Sequence, residues 1–216
     1  QSGLLAPRIT TSDRKGFEYE QPLFLALSRS HDATIYIDHM SDRGTKLGTE
    51  FRYVLDNSSR GTVFFDYLDD DTVDDGTDAT KLYSYSSTPQ RTNTDRFWFR
   101  MKHDQMLPNG FSAKLDVDVV SDQDFLNEFH DGFTGYIETD ARFEDTFGRN
   151  LDAYDDYTRK NSLNLYKSWS NFSLNLDALW YDNINARRQN VDDTTLQTLP
   201  GIHFAASKQK IGSSGF

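Results

Sequence analysis

The sequence predicts an all-β fold of about nine antiparallel strands, and three observations carry that reading. Apolar and polar residues alternate with a period of two between residues 15 and 55. Clusters of Asp, Asn, Ser and Gly interrupt the alternation about every ten residues. Aromatic residues make up 14% of the chain, which suits strand surfaces, and no window holds the roughly 20 apolar residues of a membrane helix.

The stretch 15–55 organises the rest. It reads as three strands, at 15–28, 32–40 and 43–55, with breaks near Arg29-Ser30-His31-Asp32 and Ser41-Asp42-Arg43-Gly44. In the third, Leu47, Thr49, Phe51, Tyr53 and Leu55 share one face, and Lys46, Gly48, Glu50 and Arg52 share the other. In a soluble sandwich such an apolar face meets a second sheet. In an outer-membrane barrel it meets hydrocarbon while the charged face lines the lumen. Alternation alone fits both.

Ahead of this stretch, residues 3–11 (GLLAPRITT) read either as a strand or as the end of a preceding domain. After it, the turn at 56–61 leads into a fourth strand at 62–70. The triplets Arg43-Gly44-Thr45 and Arg60-Gly61-Thr62 each open a strand and read as one turn solution used twice. Residues 69–94 are poor in apolar side chains and rich in Asp, with a spacing foreign to the EF-hand calcium loop, so a solvated loop is expected. Strands at 96–103 and 111–121 flank Leu107-Pro108-Asn109-Gly110, a hairpin turn. Between 122 and 160 the period lengthens: Phe125, Leu126, Phe129, Phe133, Ile137, Phe143 and Phe147 are spaced like helical turns, predicting one or two short helices in a long connection. Strands return at 162–169, 172–183 and 201–208.

The net charge of −11 and the lack of any basic stripe argue against a nucleic-acid partner. No cysteine is present, which removes disulfides, thiolate metal sites and a thiol nucleophile from this chain. His31, His39, His103, His130 and His203 stand singly, without metal-ligand spacing. Asp116 and Asp118 share a strand face, where a polar wall explains them better than acid–base catalysis. The reading is therefore of a protein that is not an enzyme, with no catalytic residue, metal or cofactor. The opening residues lack the basic start and apolar run of a signal peptide, so the chain reads as mature or as a piece. Phe216 is an aromatic ending, but Ser214, Gly212, Lys210 and Lys208 share its face, so the end reads as a cut.

Ordered motifs extend the reading. They are SGLLAP near the start, Asp32-Ala33-Thr34-Ile35, Met40 with Arg43-Gly44, Glu50-Phe51-Arg52-Tyr53 and Asp66-Tyr67-Leu68. Val120-Ser121-Asp122, Asn127-Glu128-Phe129 and Leu196-Gln197-Thr198-Leu199-Pro200 follow in order. With them the chain resembles the LptD (OstA) family of lipopolysaccharide-assembly outer-membrane proteins.

The resemblance implies an antiparallel transmembrane β-barrel segment, about nine strands of a barrel of about two dozen. Residues 1–14 would then be the end of a preceding periplasmic domain or a linker, and 15–216 the N-terminal part of the barrel. It implies insertion of lipopolysaccharide into the outer leaflet of a Gram-negative outer membrane, without covalent chemistry. The implied partners are lipopolysaccharide, outer-membrane lipid, the plug lipoprotein LptE and the periplasmic bridge protein LptA. Leu47, Phe51, Tyr53 and Leu55 become lipid-facing candidates, and Lys46, Glu50 and Arg52 lumen-facing ones. Pro22 becomes the lateral-gate candidate, because a proline in a strand donates no ladder hydrogen bond and weakens pairing there. The family's second proline, in strand two, falls at Ile37 on this reading. If residue 15 opens the first strand from the periplasm, both long segments end up periplasmic, against the habit of barrels. An extra crossing at residues 3–11 would reverse that. Another porin-like barrel and a soluble glycan-binding β-sandwich are the alternatives.

Overall fold

A computed structural model describes residues 1–75 and 90–207, so the middle of the acidic segment 69–94 and the end beyond Ser207 lie outside the described residues. The described chain forms one antiparallel sheet of eleven strands. These are β1 (Gly3–Leu4), β2 (Arg8–Ser12), β3 (Gly16–Ala26), β4 (His31–Met40), β5 (Gly44–Asp56) and β6 (Ser59–Asp69), then β7 (Asp95–Leu107), β8 (Phe111–Val120), β9 (Thr158–Ser168), β10 (Phe172–Asn183) and β11 (Thr198–Ala206). Each strand from β3 onward pairs with its sequence neighbour, across tight turns and long connections alike.

All nine expected strands are found, and the sheet adds a rung before them. Residues 3–12, ambiguous in the sequence and expected within a linker or preceding domain at 1–14, supply β1 and β2, both paired with β3. The sheet is open, not a closed barrel: β1 and β2 lie along one edge and β11 along the other. The tight connections at 27–30, 57–58, 108–110 and 169–171 lie at one end of the sheet; the short turn at 41–43, the segments 121–157 and 184–197 and the described residues that follow β6 lie at the other.

The two Arg-Gly-Thr triplets do not share a turn. Gly44 ends its turn at φ +98°, whereas Gly61 sits inside β6 opposite Tyr53, whose ring lies 2.5 Å from where a Cβ would be. Asn109 and Gly110 both take positive φ in the expected hairpin turn.

Two helices form in 121–157, as the lengthened period predicts: α1 (Phe125–Glu128) and α2 (Tyr136–Phe147), with Gly148 closing α2 at φ +64°. A third, α3 (Ile184–Gln189), is unexpected, and the Asn183 side chain caps it by accepting from the Ala186 amide. The core sits between the sheet and these helices. Met40, Leu68, Trp98 and Val120 from four strands pack with Phe125, Leu126, Phe129 and Ile184, and Phe64 packs with Phe143 and Phe147.

Candidate functional site

The sheet is built inside out. Along β5 the charged and small residues Lys46, Gly48 and Glu50 are buried, and Leu47, Thr49 and Phe51 between them are exposed. The same inversion holds for Glu18 and Glu20 against Phe17 and Tyr19, and for Asp66 against Phe65 and Tyr67. A soluble sheet hides its apolar face instead.

The burying element is segment 121–157. The Phe133 amide donates to the Glu20 carboxylate on β3, Arg142 donates to Glu50 on β5 at 2.7 Å, and Arg149 donates to Asp116 on β8 at 2.8 Å. Arg159 on β9 in turn donates to the Asp152 carbonyl. Strands from β3 to β9 would span about 30 Å if laid flat at their usual spacing of about 4.8 Å. One folded segment reaches all of them, so the sheet curls around it. Gly48 is where contact is closest: a Cβ there would lie 2.5 Å from Asp66 Oδ1 and 3.1 Å from Thr134 Cγ2.

Where the segment enters, six side chains without exposed surface, Arg43, Asp70, Arg91, Arg96, Asp122 and Glu128, form one ionic cluster. Arg43 donates to Asp70 and Glu128, each at 2.5 Å. Arg96 donates to the same two carboxylates at 2.9 and 2.7 Å and to both oxygens of Asp122 at 2.8 and 3.0 Å. Both guanidinium groups also lie over the Phe129 ring. Burial alone disfavours these charges, but the pairing outweighs it: Asp122 is held well below the usual carboxylate range by Arg96, Asp70 is held below it chiefly by Arg43, and Arg43 is raised. Replacing such a cluster with apolar residues is often neutral, whereas removing one member is not. The cluster therefore fixes which way the segment docks rather than adding bulk stability.

The candidates read from the sequence divide cleanly by face. Lys46 is 1% exposed and lies 3.2 Å from Asp38, and Glu50 is 3% exposed. Arg52 shares their face, nearer the tight-turn end, and is half exposed beside Asp32 at 2.8 Å. Leu47 and Phe51 lie on the outward face, 49% and 36% exposed, with Tyr53 half-buried there and Leu55 at the irregular end of the β5–β6 ladder.

Pro22 stands elsewhere than expected. It lies not on the first rung but on the second, buried, opposite Tyr36 of β4 on one side and facing Leu5 on the other. The first rung breaks across residues 5–7 at Pro7, so the prolines of neighbouring rungs are Pro7 and Pro22, and Ile37 belongs to the third. At the break the Leu5 amide donates to the Pro22 carbonyl at 3.0 Å. The Leu5 carbonyl, facing a proline without N–H, accepts from the Gln21 side-chain amide at 2.8 Å instead. Gln21 also donates to the Pro22 carbonyl at 3.0 Å and accepts from the Tyr19 hydroxyl at 2.9 Å.

The arginines at 43, 96, 100, 142 and 149 and Glu128 were invisible as site residues in the sequence. Their partners lie up to 106 positions away, and only the change of period at 122–160 marked the segment.

An antiparallel sheet with an exposed apolar face and an ionic face filled by its own chain defines a β protein of inverted polarity. The chain belongs to the LptD family, whose model, described as LPS transport system D, matches residues 94–216. It is similar to the LPS-assembly protein LptD of Pseudoalteromonas atlantica, with 33% identity over 68% of this chain and 17% of that protein. The LPS-assembly protein LptD of Idiomarina loihiensis is 30% identical over 64% of this chain and 16% of its own length. That of Xanthomonas campestris pv. campestris is 32% identical over 62% and 14%. The chain thus spans about a sixth of the length of the curated relatives it matches.

Proposed function

We propose that this chain is one portion of an outer-membrane β-barrel that delivers lipopolysaccharide to the surface of a Gram-negative bacterium. The observation that carries the reading is the inverted sheet: Leu47, Phe51, Phe65 and Tyr67 are exposed while Lys46, Glu50 and Asp66 are buried. Outward apolar side chains meet lipid, and the polar face lines the lumen, which suits passage of a sugar headgroup. Barrels keep short turns on the periplasmic side and long loops outside, so the tight-turn end faces the periplasm. Segment 121–157 then folds inward from the outer side.

The lateral gate of this reading lies along the free edge formed by β1 and β2, where Pro7 interrupts the ladder and Pro22 cannot donate to it. The reading asks for two protein partners: the bridge protein LptA delivering at the tight-turn end, and the plug lipoprotein LptE against the polar face of β10 and β11, which no other segment covers among the described residues.

The test uses the full-length protein in cells, with single cysteines introduced at Phe51, Phe65, Arg52 and Asn175. Water-soluble maleimide is expected to label Arg52→Cys and Asn175→Cys, and only a lipid-soluble reagent to label the other two. Equal aqueous labelling of all four overturns the membrane reading. A photo-crosslinker at Leu5 is then expected to capture lipopolysaccharide, and capture only at positions remote from β1 and β2 removes the gate from that edge.

A further inference from the structure

The outward face carries one charge where its neighbours carry none. Lys167 on β9 shares that face with Leu163 and Leu165, alternating with Ser162 and Asn164 of the polar face. It stands opposite Leu174 of β10, and Leu174 stands opposite Phe204 of β11. In the paired positions of the tight-turn half of this face, from Leu23 on β3 round to Phe204, no other Asp, Glu, Lys or Arg occurs among the described residues.

Lys167 is held there without being neutralised. Its Nζ lies 4.7 Å from the centre of the Phe111 ring and 4.6 Å from that of Trp169, and the two rings meet edge to face at 6.2 Å. The rings attract the ammonium through their π-faces but offer it no oxygen. An ammonium has three donors, and among the described residues Lys167 gives none of them to an acceptor and pairs with no carboxylate. Trp169 and Phe172 are exposed, and Phe204 stacks on Phe172 at 5.6 Å, so the patch continues as aromatic surface.

Charge selects the ligand. On the membrane reading proposed above, the tight-turn end lies at the inner leaflet, where glycerophospholipid headgroups meet a belt of aromatic rings. Phosphodiester oxygens are the acceptors that a lone ammonium in such a belt lacks. A zwitterionic headgroup brings an ammonium of its own, which needs a carboxylate beside it. The outward carboxylate of Asp95 lies at the opposite end of the sheet, accepting from the Tyr67 hydroxyl at 2.7 Å. An anionic headgroup without an amine needs only Lys167.

We propose that Lys167, Phe111 and Trp169 form a binding site for an anionic glycerophospholipid, its phosphodiester on Lys167 Nζ and its acyl chains along Leu165, Leu174 and Phe204. The site rests on the membrane reading and concerns a resident lipid of the bilayer, not the transported one.

The experiment reconstitutes the full-length protein in vesicles of equimolar phosphatidylglycerol and phosphatidylethanolamine, with bromine on the acyl chains of one lipid or of the other. Composition is then identical, and only the quencher moves. The Trp169 signal is the difference in fluorescence between the native protein and Trp169→Phe, and its quenching by each brominated lipid gives their relative association at that ring. The expected result is a preference of about fivefold for phosphatidylglycerol, lost in Lys167→Gln and kept in Lys167→Arg. Continued quenching by both lipids in Lys167→Gln shows that the variant is folded and inserted. Equal quenching by the two lipids in the native protein, or a preference that survives Lys167→Gln, overturns the site and leaves the membrane reading standing. Quenching by neither puts Trp169 outside the bilayer and overturns the membrane reading together with the site.

Discussion

Asp66 on β6 and Asp177 on β10 both point to the polar face, yet their surroundings differ. Asp66 is buried and paired with Arg100, which also donates to the Thr134 carbonyl and Thr139 hydroxyl of segment 121–157. Asp177 is half-buried and accepts from the side-chain amides of Asn164 and Asn175. From β3 to β8 the face is roofed by the folded segment and studded with ion pairs, while at β10 and β11 it is unroofed among the described residues and lined by amides and His203. A carboxylate deprived of water needs a full counter-charge, whereas one still reached by water is served by neutral donors. The roof, more than the alternation, decides the chemistry of the face.

The sharpest test of that contrast is Arg96→Met, which takes from Asp122 its guanidinium partner and leaves Asp70 and Glu128 to Arg43. It is expected to cost about 3–5 kcal/mol, read as a lowered urea midpoint of the full-length protein in micelles. Acid attacks the same cluster. Asp70 and Asp122 have folded pKa values below their unfolded ones, so their contribution is fully present above about pH 4 and is lost as pH falls through the folded values. Hydrogen exchange of amides in 121–157, corrected for intrinsic rates, is expected to show less protection at about pH 2.5 than at about pH 6, with β10–β11 amides changing little. Gly48→Ala pushes a methyl against Asp66 and Thr134 and is expected to cost about 1–3 kcal/mol, read from the same midpoint. Arg142→Gln breaks a partly exposed pair with Glu50 and is expected to cost about 1 kcal/mol or less. Asn175→Ala, on the unroofed face, is expected to stay within about 0.5 kcal/mol. If it costs as much as Arg96→Met, cover is not what separates the two halves.

Much of this was legible in the sequence, because a period of two specifies a strand locally and needs no partner to be seen. The strands from β3 to β11 and both faces of β5 follow from it. The first rung was ambiguous because Ala6-Pro7 breaks the alternation after only a few residues, and placing Pro22 on the wrong rung followed directly. Segment 121–157 announced itself by its helical spacing, but its position on the polar face did not, since Phe143 finds Phe64 and Arg149 finds Asp116 only after the sheet has curled. α3 is a single capped turn and a half, too short for any periodicity to show. The inversion itself was half readable: alternation gave two faces, and only burial says which one is inside.

Gln21 gives the first two rungs a mechanical property that the others lack. Elsewhere neighbouring strands are held by runs of backbone bonds, interrupted by bulges in the β5–β6 and β10–β11 ladders, so parting them resembles opening a zip, each tooth shielded by the next. At Leu5 half of the tooth is missing, and a side chain reaches across to the Leu5 carbonyl in its place, held by Tyr19 on one side and two carbonyls on the other. A side chain turns about its own bonds while both backbones stay where they are. The Gln21 half of the fastening is a latch, worked by one rotation on the timescale of rotamers, and leaves a single backbone bond, from the Leu5 amide to the Pro22 carbonyl, to hold the rung there.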